Sequence, residues 1–94
     1  MKMIFIIYTN AVDEEMVEVV KKYAGGYTKF NGVQGEGNGE PHLGSHVWPG
    51  MNNCIMTVID PKHEKTLVKE INALEEMFSG ISIRMFVMPV QSIY

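Results

Sequence analysis

Residues Asn53 to Val90 read NCIMTVIDPKHEKTLVKEINALEEMFSGISIRMFVMPV, and the change of apolar spacing along them decides the fold. Asn53 to Ile59 is a short run rich in β-branched and apolar residues, of strand length. Asp60-Pro61 then supplies a helix N-cap with proline at the first helical position. Leu67, Ile71, Leu74 and Phe78 follow at intervals of four, three and four, which lines one face of a helix. Lys62, Lys65, Lys69, Glu70, Glu75 and Glu76 fall mostly elsewhere on the wheel. Gly80 stops this helix, and Ile83 to Val90 returns as a strand.

Working back toward the first residue, the same pattern recurs. Met3 to Tyr8 is a strand, and Asp13 is placed to cap a helix whose Val12, Met16, Val19, Val20 and Tyr23 repeat at helical spacing. Glu14 and Glu15 in its first turn and Lys21 and Lys22 in its last complement the helix dipole, and Gly25-Gly26 ends it. Tyr27 to Val33 is a further strand. The order is βαββαβ, an α+β, ferredoxin-like arrangement: a four-stranded antiparallel sheet with two helices on one face. No linker divides the 94 residues, which are expected to form one domain.

The sheet's other face needs a partner. Ile4, Ile6 and Tyr8 alternate with Met3, Phe5 and Ile7, and both sets are apolar; Met85 and Val87 alternate in the same way with Phe86 and Met88. A half-solvated antiparallel sheet alternates apolar with polar residues. The second face is therefore expected to be buried against another copy of the chain.

Between the two halves lies GEGNGEPHLGSHVWPGMN, which holds five of the nine glycines, two of the three histidines and the only tryptophan. A loop this long in so short a chain reads as functional. The net charge of −3 is interspersed and includes no basic-aromatic patch, which argues against nucleic acid as a partner. The single cysteine, Cys54, excludes an internal disulfide framework and suits a reducing compartment. The opening MKMIFIIY has too short an apolar run and too polar a sequel for a signal peptide, and no segment reaches the roughly 20 apolar residues of a membrane span. A cytoplasmic protein without membrane insertion is the expectation.

The segment GGYTKFNGVQGEG and the ending IRMFVMPVQSIY resemble the corresponding parts of the nitrogen-regulatory P-II family and its P-II-like relatives. Gly26, Thr28, Gly35 and Gly37 carry the first likeness, and Phe86, Val87, Pro89 and Val90 the second. Residues 34–52 then correspond to that family's T-loop. The resemblance implies a cytoplasmic homotrimer of ferredoxin-like subunits that binds a small effector in three inter-subunit clefts and controls a partner protein through the loop. The chain is also similar in fold and size to the CutA family, associated with divalent-metal tolerance.

The chain departs from that pattern where nucleotides are bound. The Gly-x-Gly-Lys phosphate loop of ATP-binding P-II proteins is replaced by Phe78-Ser79-Gly80-Ile81-Ser82-Ile83-Arg84, and no Arg-rich segment follows the last strand before Tyr94. Arg84 remains as a phosphate partner, and one arginine without further donors is a weak holder of a triphosphate. These departures argue against ATP or ADP held in that family's manner. The tyrosine that some P-II proteins present for uridylylation is absent as well.

The candidate ligand-binding residues are Gly35 and Gly37 for close backbone approach, Trp48 for stacking, and Arg84 for charge. His42 and His46, four apart, are candidate ligands for a divalent transition metal, completed by Glu36, Glu40, Cys54 or a neighbouring subunit; equally, they read as hydrogen-bonding residues that shape the loop. Cys54 in a buried strand reads as structural, His63 as solvated, and Asp13, Glu14 and Glu15 as helix-capping rather than acid-base residues. Ser45 beside His46 does not make a nucleophile with base and orienting acid, and no enzymatic activity is expected. A P-II-like regulator is the first reading, and a metal-binding or metal-tolerance protein of the same fold the alternative.

Overall fold

The computed structural model describes residues 1–34 and 52–94. Strand β1 (Lys2–Thr9) leads through a short 3-10 turn at Asn10–Val12 into helix α1 (Asp13–Tyr23). Strands β2 (Thr28–Val33) and β3 (Asn52–Ile59) follow, then a 3-10 turn at Pro61–His63, helix α2 (Glu64–Met77) and strand β4 (Ile83–Pro89). The sheet order is β2-β3-β1-β4, and every neighbouring pair is antiparallel. β1 and β2 thus run parallel with β3 inserted between them, which is the split βαβ arrangement expected from the sequence.

Strand parity sorts the side chains. Ile4, Ile6 and Tyr8 face the helices, opposite Thr57, Ile55 and Asn53 on β3 and Val87, Met85 and Ile83 on β4. They pack against Val12, Met16 and Val20 from the α1 side and Leu67, Ile71 and Leu74 from α2, all buried. The apolar stripes read from the helical spacing are the ones in the core, and Val19, Tyr23 and Phe78 pack at its margin.

The opposite face carries Met3, Phe5 and Ile7 of β1, Cys54 and Met56 of β3, Phe30 of β2, and Phe86 and Met88 of β4. Phe30 is 46% exposed, Phe86 48% and Met88 41%. Contiguous exposed apolar surface is the usual physical mark of a face that binds something.

Three local expectations change. Asp13 does not cap α1: Val12 is the N-cap, without a side-chain bond, and the Asp13 carboxylate turns toward the sheet. Gly25-Gly26 does not form a left-handed helix stop; Ala24 closes α1 in an extended conformation, and its amide donates to the Val20 carbonyl at 3.0 Å. Asp60 does cap, but its carboxylate accepts the Lys62 amide at 2.9 Å and so closes the 3-10 turn that precedes α2. Gly80, at φ +81°, provides the left-handed residue in the turn after α2. Among the described residues no helix is long and apolar enough to cross a membrane.

Candidate ligand-binding end of the sheet

Antiparallel pairing brings four chain segments to one end of the sheet. Thr9 pairs with Asn52, Val33 pairs with the same Asn52, and Tyr8 pairs with Ile83. The end of β1, the exit of β2, the start of β3 and the start of β4 therefore lie side by side. At roughly 4.8 Å per strand, the two edge strands there stand about 14 Å apart.

The turn entering β4 is tied down at this end. The Thr9 amide donates to the Ser82 carbonyl at 3.1 Å, and the Ser82 amide donates to Thr9 Oγ1 at 3.0 Å. The Ile83 amide donates to Glu75 Oε2 at 3.0 Å. Two main-chain donors in the turn that leads into β4 are thus engaged within the fold, one of them by a carboxylate. The following residue, Arg84, is exposed and sits on the outer, apolar face of the sheet opposite Ile7. Among the described residues it has no ion-pair partner.

On the same face a shallow depression of about 350 Å³ lies over Phe5, Ile7, Phe30, Cys54 and Met56, with Asn52 at its margin where β3 begins. Its lining is mostly hydrocarbon. The Cys54 thiol in its floor is buried, and burial pushes its pKa up, so it lacks the thiolate character of a reactive cysteine. The structural reading of Cys54 is the one its surroundings support.

The helix-facing side holds a polar cluster that the local spacing did not reveal. Asp13 Oδ1 accepts from the Tyr8 hydroxyl at 2.6 Å and from Asn53 Nδ2 at 2.9 Å, while Asp13 Oδ2 accepts from Lys29 Nζ at 2.8 Å. Burial opposes the charge on Asp13, but the hydrogen bonds from Lys29, Tyr8 and Asn53 outweigh it and hold the carboxyl below its ordinary range. Burial first, and then Asp13, push the Tyr8 hydroxyl the other way, so it remains a donor. The sequence signal for this cluster was the inward parity of Asn53 and Thr57 in an otherwise apolar strand. Thr57 has its own partner, donating to the Gly26 carbonyl at 2.5 Å.

Elsewhere His63 is half-buried, its ring 5.5 Å from that of Tyr23, rather than free in solvent. Tyr23 and Lys22 both donate to Glu70, which joins α1 to α2 at the surface. Of the candidate site residues, Arg84 is placed as described; Gly35, Gly37, His42, His46 and Trp48 lie outside the described residues, as do Glu36 and Glu40. Arg84 stands on the edge strand opposite the one from which residue 34 departs, so one chain does not bring Arg84 beside the exit of β2. Among the described residues no group of three or more His, Cys, Asp or Glu is placed to hold a metal ion.

No family model matches the chain, and no curated protein does. Solved structures do match. A PII-like signalling protein of Thermus thermophilus superposes with a TM-score of 0.66 at 25% identity, over 93% of this chain and 83% of that one. CPII, a nitrogen regulatory PII-like protein of Thiomonas intermedia K12 solved with ADP, AMP and bicarbonate, superposes at 0.64 with 16% identity, over 97% of this chain and 94% of that one. A DUF3240 family protein of Shewanella baltica OS155 superposes at 0.63 with 12% identity, over 99% and 93% of the two chains. With its antiparallel order β2-β3-β1-β4 under two helices, the chain shares the fold of the PII-like signalling proteins and is a structural relative of them.

Proposed function

We propose that residues 1–94 form one P-II-like regulatory unit that assembles as a homotrimer, takes a small anionic effector at its inter-subunit clefts, and controls a partner protein through residues 34–52. The outer sheet face is the observation that carries this reading: an exposed apolar surface spanning all four strands, on which Arg84, at the end where β4 begins, is the one cation among the described strand residues. Burial of that surface between copies satisfies its hydrocarbon, and the sheet order explains why more than one copy is needed. Each subunit supplies Arg84 from one edge and the exit of β2 from the other, so an effector touching both would bridge neighbours.

In this reading Gly35 and Gly37 permit close backbone approach to the effector, Trp48 offers a stacking surface, and Arg84 of the adjoining copy meets its charge. The engaged amides of Ser82 and Ile83 disfavour a triphosphate cradled by that turn. That CPII holds ADP, AMP and bicarbonate supports an effector with a smaller anionic group. In this reading the role is signalling, as the names of the PII-like structural relatives describe theirs.

Native mass spectrometry of the full chain, alone and with ADP, AMP, ATP or bicarbonate in turn, tests this directly. The expected result is a trimer that takes up ADP or AMP in preference to ATP, or takes up bicarbonate. A monomer, or a trimer that ignores all four, would overturn it.

A further inference from the structure

Two bonds at the ends of β4 fix which way its main-chain groups point. The Val90 amide donates to the Met1 carbonyl and the Thr9 amide to the Ser82 carbonyl, each at 3.1 Å. Met1 with Val90 and Thr9 with Ser82 are therefore hydrogen-bonded pairs, and by alternation so are Met3 with Met88, Phe5 with Phe86 and Ile7 with Arg84. The residues between them, Ile83, Met85, Val87 and Pro89, turn their main-chain groups toward the open edge of the sheet. Ile83 shows this directly, since its amide reaches Glu75. Proline has no amide hydrogen. Among the described residues, the edge thus offers two unpaired N–H groups, those of Met85 and Val87, bracketed by a carboxylate and a proline.

The same alternation, carried across β1 and β3, bonds Thr28 and Phe30 of β2 to Met56 and Cys54 and turns Lys29 and Asn31 outward at the opposite edge. Beyond Asn31 the ladder breaks. Three steps from Phe30 to Val33 match two from Cys54 to Asn52, and Gly32, at φ +65°, takes up the extra residue while its amide turns inward to Asn53 Oδ1 at 3.1 Å. This edge also presents two outward N–H groups.

The two edges fit each other in one antiparallel register. Met85 opposite Asn31 and Val87 opposite Lys29 uses all four donors. A shift of two residues one way sets Asn31 against Ile83, whose amide Glu75 already holds; a shift the other way sets Lys29 against Pro89 and carries Met85 past the bulge. In the fitting register Phe86 lies opposite Phe30 on the outer face, a cross-strand aromatic pair of residues 48% and 46% exposed in the single chain. Within one chain the edges stand about 14 Å apart and point away from each other, so the fit needs two copies.

We propose that the open edge of β4 pairs with the open edge of β2 of a second copy, with Met85 against Asn31 and Phe86 against Phe30. β4 runs antiparallel to β2 within the chain, and copies related by rotation about an axis along the strands keep that sense. The pairing sets Arg84 of one copy opposite Gly32 of the next. The contact is head to tail, and its closure after three copies rests on the reading in the preceding subsection; the pairing itself does not.

Residue-resolved amide hydrogen exchange on the wild-type chain reads the pairing. Protection of at least about a hundredfold is expected at Met85, Val87, Lys29 and Asn31. Fast exchange at Met85 and Val87, or protection there without protection at Lys29 and Asn31, would overturn the proposal, the second result by showing that some other strand covers β4. Disulfide cross-linking reads the register, because opposed residues of a non-hydrogen-bonded pair stand at about 4.5 Å between Cα atoms, within disulfide range. Phe30→Cys combined with Phe86→Cys, in a Cys54→Ser background and oxidised by glutathione disulfide, is expected to link chains to one another, and neither new cysteine alone should do so. Dimers from Phe86→Cys alone would show β4 meeting β4 and overturn the pairing, as would a folded double variant that forms no links. If the double variant does not fold, exchange in the wild type still decides. Linked species that end at a number of chains other than three would support the edge pairing and overturn the trimer.

Discussion

The Tyr8 hydroxyl donates to Asp13 Oδ1 at 2.6 Å and so ties the inner face of β1 to the first residue of α1. Tyr8 has no exposed surface, and its ring belongs to the core. Tyr8→Phe keeps the ring and removes the donor. Because the acceptor is ionised, the variant is expected to lose about 1–3 kcal/mol of unfolding free energy, with an unchanged denaturant slope. Urea unfolding followed by circular dichroism measures both quantities, and an unaltered midpoint would show that the bond contributes nothing to stability.

Asp13 gives the fold a defined response to acid. Its ordinary carboxyl value of 3.8 is lowered in the folded state, so its stabilisation is complete above 3.8 and disappears as pH falls through the folded value below it. Asp13→Asn should therefore be less stable than wild type by a constant margin between about pH 5 and 7, and the margin should narrow below about pH 4. Denaturant midpoints across that range, with the carboxyl resonance followed by NMR, make the comparison. A margin that widens toward acid would mean the carboxylate destabilises the fold.

Phe86 stands opposite Phe5 on the outer face and is 48% exposed in the single chain. Phe86→Asp places a charge there without touching the helix-side core. Assembly should be lost while far-UV circular dichroism is preserved, and light scattering after size exclusion reads the subunit count. An unchanged oligomer would remove this face from the interface.

Arg84→Gln removes the charge and leaves a shorter, neutral side chain that can still donate a hydrogen bond. If the proposed trimer and effector site form, Arg84→Gln should leave assembly intact and lower the affinity, measured by calorimetry, for whichever of ADP, AMP or bicarbonate the wild type takes up by about tenfold or more, the usual loss for one charge-assisted hydrogen bond. Affinity unchanged at low salt would show that Arg84 does not meet the ligand.

The elements were legible because the helix-side positions obey two simple periods. Ile4, Ile6 and Tyr8 step by two, Leu67, Ile71 and Leu74 by four and three, and all six are buried. Asp13 was misread because an acidic residue before a periodic segment satisfies the capping pattern whether or not it caps. Its actual partners, Lys29 and Asn53, stand 16 and 40 residues away in sequence, beyond the reach of local spacing. Asn53 nonetheless left a trace, as a polar residue at an inward position, and Gly32 left another, since glycine inside a strand marks a bulge. Arg84 was recognised for its charge, and its outward placement follows from parity with Phe86. The remaining candidates for the site all fall within residues 35–51, outside the described residues.

Between Phe30, which pairs with Cys54, and Val33, which pairs with Asn52, β2 carries one residue more than β3, and Gly32 there, at φ +65°, bears on how the protein keeps to itself in a crowded solution. β2 is an edge strand, and an edge with an unbroken row of amides and carbonyls is a template onto which foreign strands can add. Here the regular row runs only through Thr28, Lys29 and Phe30 before the register slips, a template of about 10 Å. A chain lacking Gly32 would present a longer, straighter edge beside the exposed Phe30, so the break in register shortens the stretch onto which another strand could add.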